Sequence, residues 1–512
     1  MPSTKLRMKL FVLSAFYCVN GALIHGADAP PNIVILYADD MGYGDLGANN
    51  PNSKIPTPHL DKLAEQGMRF TDGHSSSGIC TPSRYAMLTG RYHWRKFHGI
   101  VQSFGPPSFD DKELTLPELL KTKGYHTACI GKWHLGWNWD DIKKPKAAPE
   151  NGTAKRNPVY AAEDFDWNKP ISGGPLSHGF DYYFGDDVPN FPPYAWIEND
   201  RVITAPTVPL SITPKTKEGQ WEARPGPMVA DWDFYQVVPK LGERAASWVA
   251  EQKGKETPFF LYVPFNSPHA PIVPNDEFDG KSEANGYGDF MFQTDHVVGG
   301  ILKALDDNGF ADNTLVIFTA DNGAEIYCIE RIAKFDHESS GPFRGMKRDI
   351  YEGGHRVPFI VRWPGKVKAG TVNNGLIGQI DLMATLAAAA GVEVPEKTAH
   401  DSYNQLPTWL GEGTSPRTEM VHNTFSGDYA VRQGDWVLID RKGQRGQHAG
   451  AHRKVPGWYD EKYGYRMSET AGELFNLAED PSQKTNRYQE MPEKVADLKA
   501  FLAKIRANGQ VR

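Results

Sequence analysis

The sequence has few cysteines, no excess of basic charge and, beyond its first residues, no long apolar run. Four cysteines in 512 residues cannot build a disulfide framework. With 56 Lys and Arg against 63 Asp and Glu, the formal net charge of -7 offers no basic footprint for nucleic acid. No later stretch approaches the roughly 20 apolar residues needed to span a bilayer, so no transmembrane segment is expected. What the chain does have is length for a large buried core, with 40% hydrophobic residues, 12% aromatics, 50 Gly and 38 Pro. That balance excludes a disordered chain and fits a loop-rich globular enzyme of more than one structural unit.

The opening segment places Lys5, Arg7 and Lys9 ahead of an apolar run from Leu10 to Val19, followed by small residues between Ala22 and Ala29. This order reads as a signal peptide over 1–29, and Cys18 leaves with it. A buried N-terminal helix is the plainer alternative. Export is therefore expected, into a periplasmic, secreted or lysosome-like compartment according to host.

Short, continuous apolar runs then alternate with helical patterns, as parallel strands covered on both faces require. Four strands are expected: Asn32 to Tyr37, His126 to Ile130, Pro258 to Phe265 and Thr314 to Thr319. Thr57 and Pro58 look like the N-cap and first residue of a helix stopped at Gly67, and Asp289 to Asn308 forms another. The alternation predicts a doubly wound α/β sheet. After about Ala390 the runs shorten, as in YAVRQGDWVLI and ELFNL, and a terminal amphipathic helix spans Pro492 to Arg506. This gives a catalytic α/β domain over 30–390 and a smaller α+β C-terminal subdomain over 391–512.

In open α/β sheets the ligand crevice lies beyond the carboxyl ends of the strands. All four expected strands run into polar residues there: Asp39 and Asp40, then Lys132 and His134, then His269, then Asp321 and Asn322. A single such pair is usually a solvated turn, whereas four on one edge suggest a site. Carboxylate and amide oxygens suit a hard cation, Ca2+ in preference to Mg2+, and not Zn2+. Lys132 and Lys347 suit an anionic substrate, while His134 and His269 suit proton transfer. His93, His98 and His126 lack this placement and read as structural.

The sharpest motif is CTPSRYAMLTGR, from Cys80 to Arg91. Thr81 can cap and Pro82 can open a short helix ending at Gly90, which would place residue 80 at a helix N-terminus suited to an anion. The motif resembles the signature of type I sulfatases, the formylglycine-dependent, arylsulfatase-like branch of the alkaline phosphatase superfamily. Further stretches resemble the family in the same order: NIVILYADDMGYGDLG, IGKWHLG, HGFDYYFG, GPFRGMKRDIYEGGHRVPFIVRWPG and ELFNLAEDPSQKTN. The resemblance implies an alkaline phosphatase-like fold, with a large mixed, mostly parallel sheet flanked by helices. It implies that Cys80 is converted to formylglycine by a formylglycine-generating enzyme or a radical maturase. It also implies calcium on Asp39, Asp40, Asp321, Asn322 and the modified residue 80. Arg84 would then support the formylglycine, and Lys132, His134, His269 and Lys347 would surround the sulfate.

The implied chemistry is sulfate ester hydrolysis. One hydroxyl of the hydrated aldehyde attacks sulfur while His269, helped by Lys347, protonates the departing alcohol. His134 then deprotonates the second hydroxyl, and sulfate leaves. The alternatives are a phosphatase or phosphonate monoester hydrolase of the same superfamily, and a non-catalytic binder of sulfated glycans. The first is disfavoured because Asp321-Asn322-Gly323 stands where those relatives tend to carry histidine.

After HGFDYYFG the chain departs from relatives that use serine or histidine, reading Asp186-Asp187 instead. These aspartates can contact a substrate amine or hydroxyl, although a solvated acidic turn is the commoner outcome. The aromatics Trp137, Trp139, Trp167, Tyr182, Tyr183 and Trp196 suit sugar rings or ordinary loop packing equally. A basic run, Arg441, Lys442, Arg445, Arg453 and Lys454, can meet further sulfates. A sulfated carbohydrate is therefore the favoured substrate, with aryl sulfates also cleaved. Cys129 and Cys328 read as free thiols, the first in a strand and the second in a loop.

Overall fold

The computed structural model describes residues 30–512, apart from 111, 152–156, 212–222, 426, 441–454, 466–469 and 510–512. The segment expected to be a signal peptide, Cys18 and the basic run between Arg441 and Lys454 lie outside the described residues.

The four apolar runs are adjacent parallel strands. Asn32–Ala38 sits between Phe259–Pro264 and Thr314–Ala320, and His126–Ile130 pairs with the far side of Phe259–Pro264. In register, Ile35 stands beside Tyr262 on one side and Ile317 on the other. Side chains alternate between the two faces of a strand. Ile33, Ile35 and Tyr37 accordingly enter one core layer, with Tyr262 and Ile317, while Val34, Leu36 and Ala38 enter the other, with Leu261 and Phe318. Every residue of this strand is buried, which is why its sequence reads as unbroken hydrophobicity and not as alternation.

Among the described residues the sheet has ten strands and is mixed. Phe359–Arg362 runs antiparallel to Thr314–Ala320, and Met68–Phe70 runs antiparallel to Phe359–Arg362. At the other edge Tyr182–Gly185 joins in parallel to His126–Ile130, and two short antiparallel strands finish the sheet. The helices Cys80–Thr89, Leu116–Lys121 and Leu382–Ala389 cover one face; Pro58–Glu65, Val237–Ala250 and Asn285–Asp307 cover the other. This is the alkaline phosphatase-like architecture expected from the resemblance.

A second sheet of four antiparallel strands, Glu419–Asn423, Tyr429–Gln433, Trp436–Asp440 and Gly472–Asn476, follows in simple meander order. The terminal helix Pro492–Asn508 lays Val495, Leu498, Leu502 and Ile505 on its Val431, Leu438 and Leu474. Full burial of such a side chain is worth about 1.5–3 kcal/mol, so the helix is held by this face. Residues 31–512 make one compact unit. Among the described residues, no helix is long and apolar enough to cross a membrane.

Three local expectations change. The helix carrying the Cys80 motif opens at Cys80 itself, with Ile79 as N-cap, and not at Pro82. Thr81 does not cap it, because its hydroxyl donates to the carbonyl of His134 at 2.9 Å. Cys328 begins the helix Cys328–Phe335 instead of lying in a loop, since Ile329 and Ile332 give that segment a buried face. Cys80, Cys129 and Cys328 are all free and buried.

Candidate active site

The residues that follow the four central strands converge on one buried cluster. Backbone geometry helps to aim them: Asp40 and His134 both occupy the left-handed region, at φ 66° and 52°. Such conformations in residues other than glycine cost energy and are tolerated where the surroundings enforce them. Gly323 completes the turn after Asn322. A Cβ there would stand 1.9 Å from the carbonyl oxygen of Gly353, so only glycine allows that approach.

Cys80 opens its helix beside the cluster, and Gly90 ends that helix in the left-handed conformation at φ 63°. Arg84, one turn after Cys80, is fully buried. Its Nε and Nη2 donate to Asp321 Oδ2 at 3.1 and 2.8 Å, and its Nη1 donates to the carbonyl of Lys132 at 3.0 Å. The guanidinium thus holds a carboxylate and the start of the His134 loop together. Lys132 Nζ lies 2.5 Å from Asp39 Oδ2, and Lys347 Nζ lies 2.6 Å from Asp40 Oδ1. Asn322 Nδ2 also donates to Asp40 Oδ1, at 2.7 Å, and His269 Nε2 is 3.8 Å from Asp40 Oδ2.

Burial and charge set the protonation states. Burial works against the Asp40 carboxylate, but Lys347 and His269 outweigh it and hold the group well below the usual carboxylate range. Burial, with Asp39 adding to it, pushes Asp321 up to about 6. The Cys80 thiol is raised by burial, against the pull of Lys132 and Lys347. Burial and the charge of Lys132 hold His134 well below the ordinary histidine value, so it is neutral. Its Nε2 is 3.1 Å from the carbonyl of Val101, which can only accept. The ring proton therefore sits on Nε2, and the buried Nδ1, which has no partner, carries a lone pair.

The donor set fits a hard cation. Asp39 Oδ1 and Asn322 Oδ1 are buried without a hydrogen-bond partner. Ligand atoms of Asp39, Cys80 and Asp321 lie within 4.8 Å of one another, as do those of Asp39, Asp40 and His269. Buried acceptors left unpaired are costly, and an oxygen-bound divalent ion satisfies them.

Asp186 and Asp187 do not form a solvated turn. Asp186 is buried and accepts from Asn266 Nδ2 at 2.6 Å. Asp187 accepts the backbone N–H of His134 at 3.1 Å. Burial pushes both carboxyls up to about 6. The aromatic stretch resolves in favour of packing: Trp137, Trp139, Trp167 and Tyr183 belong to the core under the sheet, while Trp196 stacks on Phe184. His93, His98 and His126 bond to Asn423, Asn423 and Gln252, none of which belongs to the cluster.

Two contributors escape a reading of the sequence. Asn266 holds Asp186, and Glu325 sits 2.5 Å from Arg348 and 4.0 Å from Lys347. Glu325 had a signal, being four residues past Asp321 in TADNGAE; Asn266 had only its place just after a strand.

A mixed α/β sheet with an oxygen-rich cluster suited to a cation, two lysines and a helix-borne cysteine at the carboxyl edge of its parallel strands defines an anion-processing hydrolase of the alkaline phosphatase-like fold. The Sulfatase family model matches residues 31–392, and the chain belongs to that family. It is a sulfuric ester hydrolase. An N-acetylgalactosamine-6-O-sulfatase of Bacteroides thetaiotaomicron is 32% identical, with 93% of each chain covered. Human N-acetylgalactosamine-6-sulfatase is 34% identical over 75% of this chain and 67% of its own, and human arylsulfatase A is 33% identical over 89% and 83%. A structure from work on glycosaminoglycan metabolism by Bacteroides thetaiotaomicron aligns with a TM-score of 0.76 at 32% identity, covering 93% of this chain and 99% of that one.

Proposed function

We propose that the protein is a calcium-dependent sulfatase whose residue 80 is converted from cysteine to formylglycine, and that its natural substrate is a sulfated carbohydrate. The observation that carries this reading is the pair of buried, partnerless oxygens, Asp39 Oδ1 and Asn322 Oδ1, in the cluster that Cys80 adjoins. Asp39, Asp40, Asp321, Asn322 and residue 80 would hold the cation. When present, the cation and the modified residue supply charge neutralisation for the sulfate oxygens and a hydroxyl nucleophile.

The chain's own residues perform the rest. Lys132 and Lys347 neutralise the anion from two sides, each held by a carboxylate. His269 points Nδ1 at the carbonyl of Ala270, 2.5 Å away, which leaves Nε2 as the atom to pass a proton to the departing alcohol. His134, with its lone pair on Nδ1, would serve as base toward the hydroxyl that residue 80 carries once modified. Arg84 fixes Asp321 and the start of the His134 loop.

The activities named for the relatives support a carbohydrate substrate, and the 6-O-sulfate of an N-acetylgalactosamine residue is the first to test. Aryl sulfates serve as chromogenic substitutes. The same reading takes 1–29 as an export signal, 30–390 as the catalytic domain and 391–512 as the C-terminal subdomain. It also requires a formylglycine-generating enzyme or radical maturase in the host. Cys80→Ala is expected to abolish turnover of an aryl sulfate without unfolding the protein, and mass spectrometry of the wild-type residue-80 peptide should find the aldehyde. Near-normal activity of the variant, or an unmodified thiol in active enzyme, would overturn the proposal. Faster cleavage of the matching phosphate ester would favour the phosphatase alternative.

A further inference from the structure

A second cluster of ligand-type side chains lies apart from the residues assigned to catalysis. His74 comes from the short strand Gly73–His74, His355 from the end of the helix Glu352–His355, and His422 from the strand Glu419–Asn423 of the four-stranded sheet. All three are buried. Each ring points Nε2 at an oxygen: His74 at Asp72 Oδ1 (2.8 Å), His355 at the carbonyl of Ile350 (3.3 Å) and His422 at the carbonyl of Ser75 (3.1 Å). These oxygens accept, so the ring protons reside on Nε2 and Nδ1 of each ring is left for a further proton or a metal ion.

Nδ1 of His74 and Nδ1 of His355 then face each other at 3.0 Å. Two lone pairs at that separation repel unless a cation stands with them, either a proton or a metal ion. One ring nitrogen from each of the three histidines lies within 4.8 Å of the others. A metal ion would also engage the third ring, which a proton shared between His74 and His355 does not.

The charges around the cluster are balanced before any ion binds. Asp72 is paired with Arg356 at 3.0 Å and Arg432 at 2.7 Å, and Glu352 with Arg356 at 3.0 Å. Both guanidinium groups are therefore matched by carboxylates. Asp72 also stands behind His74 as a carboxylate behind a metal-binding imidazole does, fixing its tautomer and raising its basicity.

We propose that His74, His355 and His422 form a second, structural metal site that takes one imidazole-preferring transition-metal ion, with Zn2+ the leading candidate. Nitrogen donors distinguish it from the oxygen-rich catalytic cluster. The rings of His355 and His422 are stacked, with centroids 3.4 Å apart, so binding requires one ring to rotate until both Nδ1 atoms converge. Water would complete the coordination. The ion would tie the four-stranded sheet, through His422, to the loops that close the main sheet.

The test uses full-length protein stripped by a chelator, refilled with excess Ca2+ and then given Zn2+ alone. About one equivalent of Zn2+ should survive desalting and raise the thermal midpoint, and anomalous scattering at the zinc edge should place it among the three histidines. In His422→Gln both the retained equivalent and the zinc-dependent rise should disappear. Retention of less than about a tenth of an equivalent by the wild type, or an anomalous peak among Asp39, Asp40 and Asp321, would overturn the proposal. So would undiminished zinc retention by His422→Gln. If that variant does not fold, the wild-type anomalous map decides alone.

Discussion

Arg84 grips a single oxygen of Asp321, Oδ2, with both Nε and Nη2, while the other oxygen, Oδ1, takes the backbone N–H of Asp40 at 3.2 Å. The carboxylate is therefore held at both oxygens by groups on two other elements. Lysine at position 84 would keep the charge but lose the fork. Groups that orient a metal ligand typically cost about 10–100-fold in metal affinity or activity when changed. Arg84→Lys should lose activity within that range and need more Ca2+ for half-maximal rate; an unchanged Ca2+ dependence would refute the positioning role.

Lys347 is the counter-ion of Asp40, and removing it leaves a buried carboxylate facing an anionic substrate. Lys347→Met should lower kcat by about 10²–10³-fold, the usual cost of deleting a group that stabilises developing charge in a desolvated site. Steady-state kinetics on an aryl sulfate, with circular dichroism to verify folding, would decide it. A change confined to KM would reassign Lys347 to ground-state binding.

Asp187 holds the backbone of His134, and needs an acceptor oxygen there more than a charge. Asp187→Asn should keep most of the activity, whereas Asp187→Ala should lose about 10–100-fold in kcat by letting the base drift, since displacements near 1 Å cost that much. Equal activity in the two variants would count against the contact.

A pH effect on stability follows from Asp295, which accepts the backbone N–H groups of His59 and Leu60 at 3.1 and 2.8 Å. Burial pushes its carboxyl up to about 7, above the value near 3.9 of an unfolded chain. The folded state thus holds the proton more tightly. The resulting stability is fully present below about pH 4 and is lost as pH rises through 7. Asp295→Asn should flatten this part of the profile, seen as a smaller drop in thermal midpoint between pH 5 and pH 8; an identical drop would exclude Asp295 as its source.

Arg417 and Asp381 form a doubly bonded, fully buried ion pair, with contacts of 2.8 and 2.5 Å. Arg417 also donates to the carbonyls of Glu419 and Asp401. Arg417→Met strands the Asp381 charge and should cost about 3–5 kcal/mol. Chemical denaturation would measure it, and a loss below about 1 kcal/mol would show that the pair is dispensable.

The edge that carries the candidate site was legible because buried parallel strands leave continuous apolar runs, and their first polar residues mark where a crevice opens. Asp39, Asp40, Lys132, His134, His269, Asp321 and Asn322 were all found this way, and the structure brings them together. Cys80 and Arg84 were legible from a local motif. The antiparallel strands Met68–Phe70 and Phe359–Arg362 were not, being only three and four residues long. Asp186 and Asp187 look like any acidic turn until Asn266 and the His134 loop are seen around them.

By itself, then, the sequence determined the strand order of chemistry along the chain, the helix that presents Cys80, and the types of donor available, because each depends on neighbours within a few residues. Tertiary structure alone decided who pairs with whom. Thr81 abandons a cap for the carbonyl of His134, Trp137 and Trp139 enter the core in place of a sugar-facing surface, and His74, His355 and His422 meet from three distant segments. These outcomes rest on competition among partners far apart in the chain, where burial makes every unpaired polar group costly, and no local pattern records which partner wins.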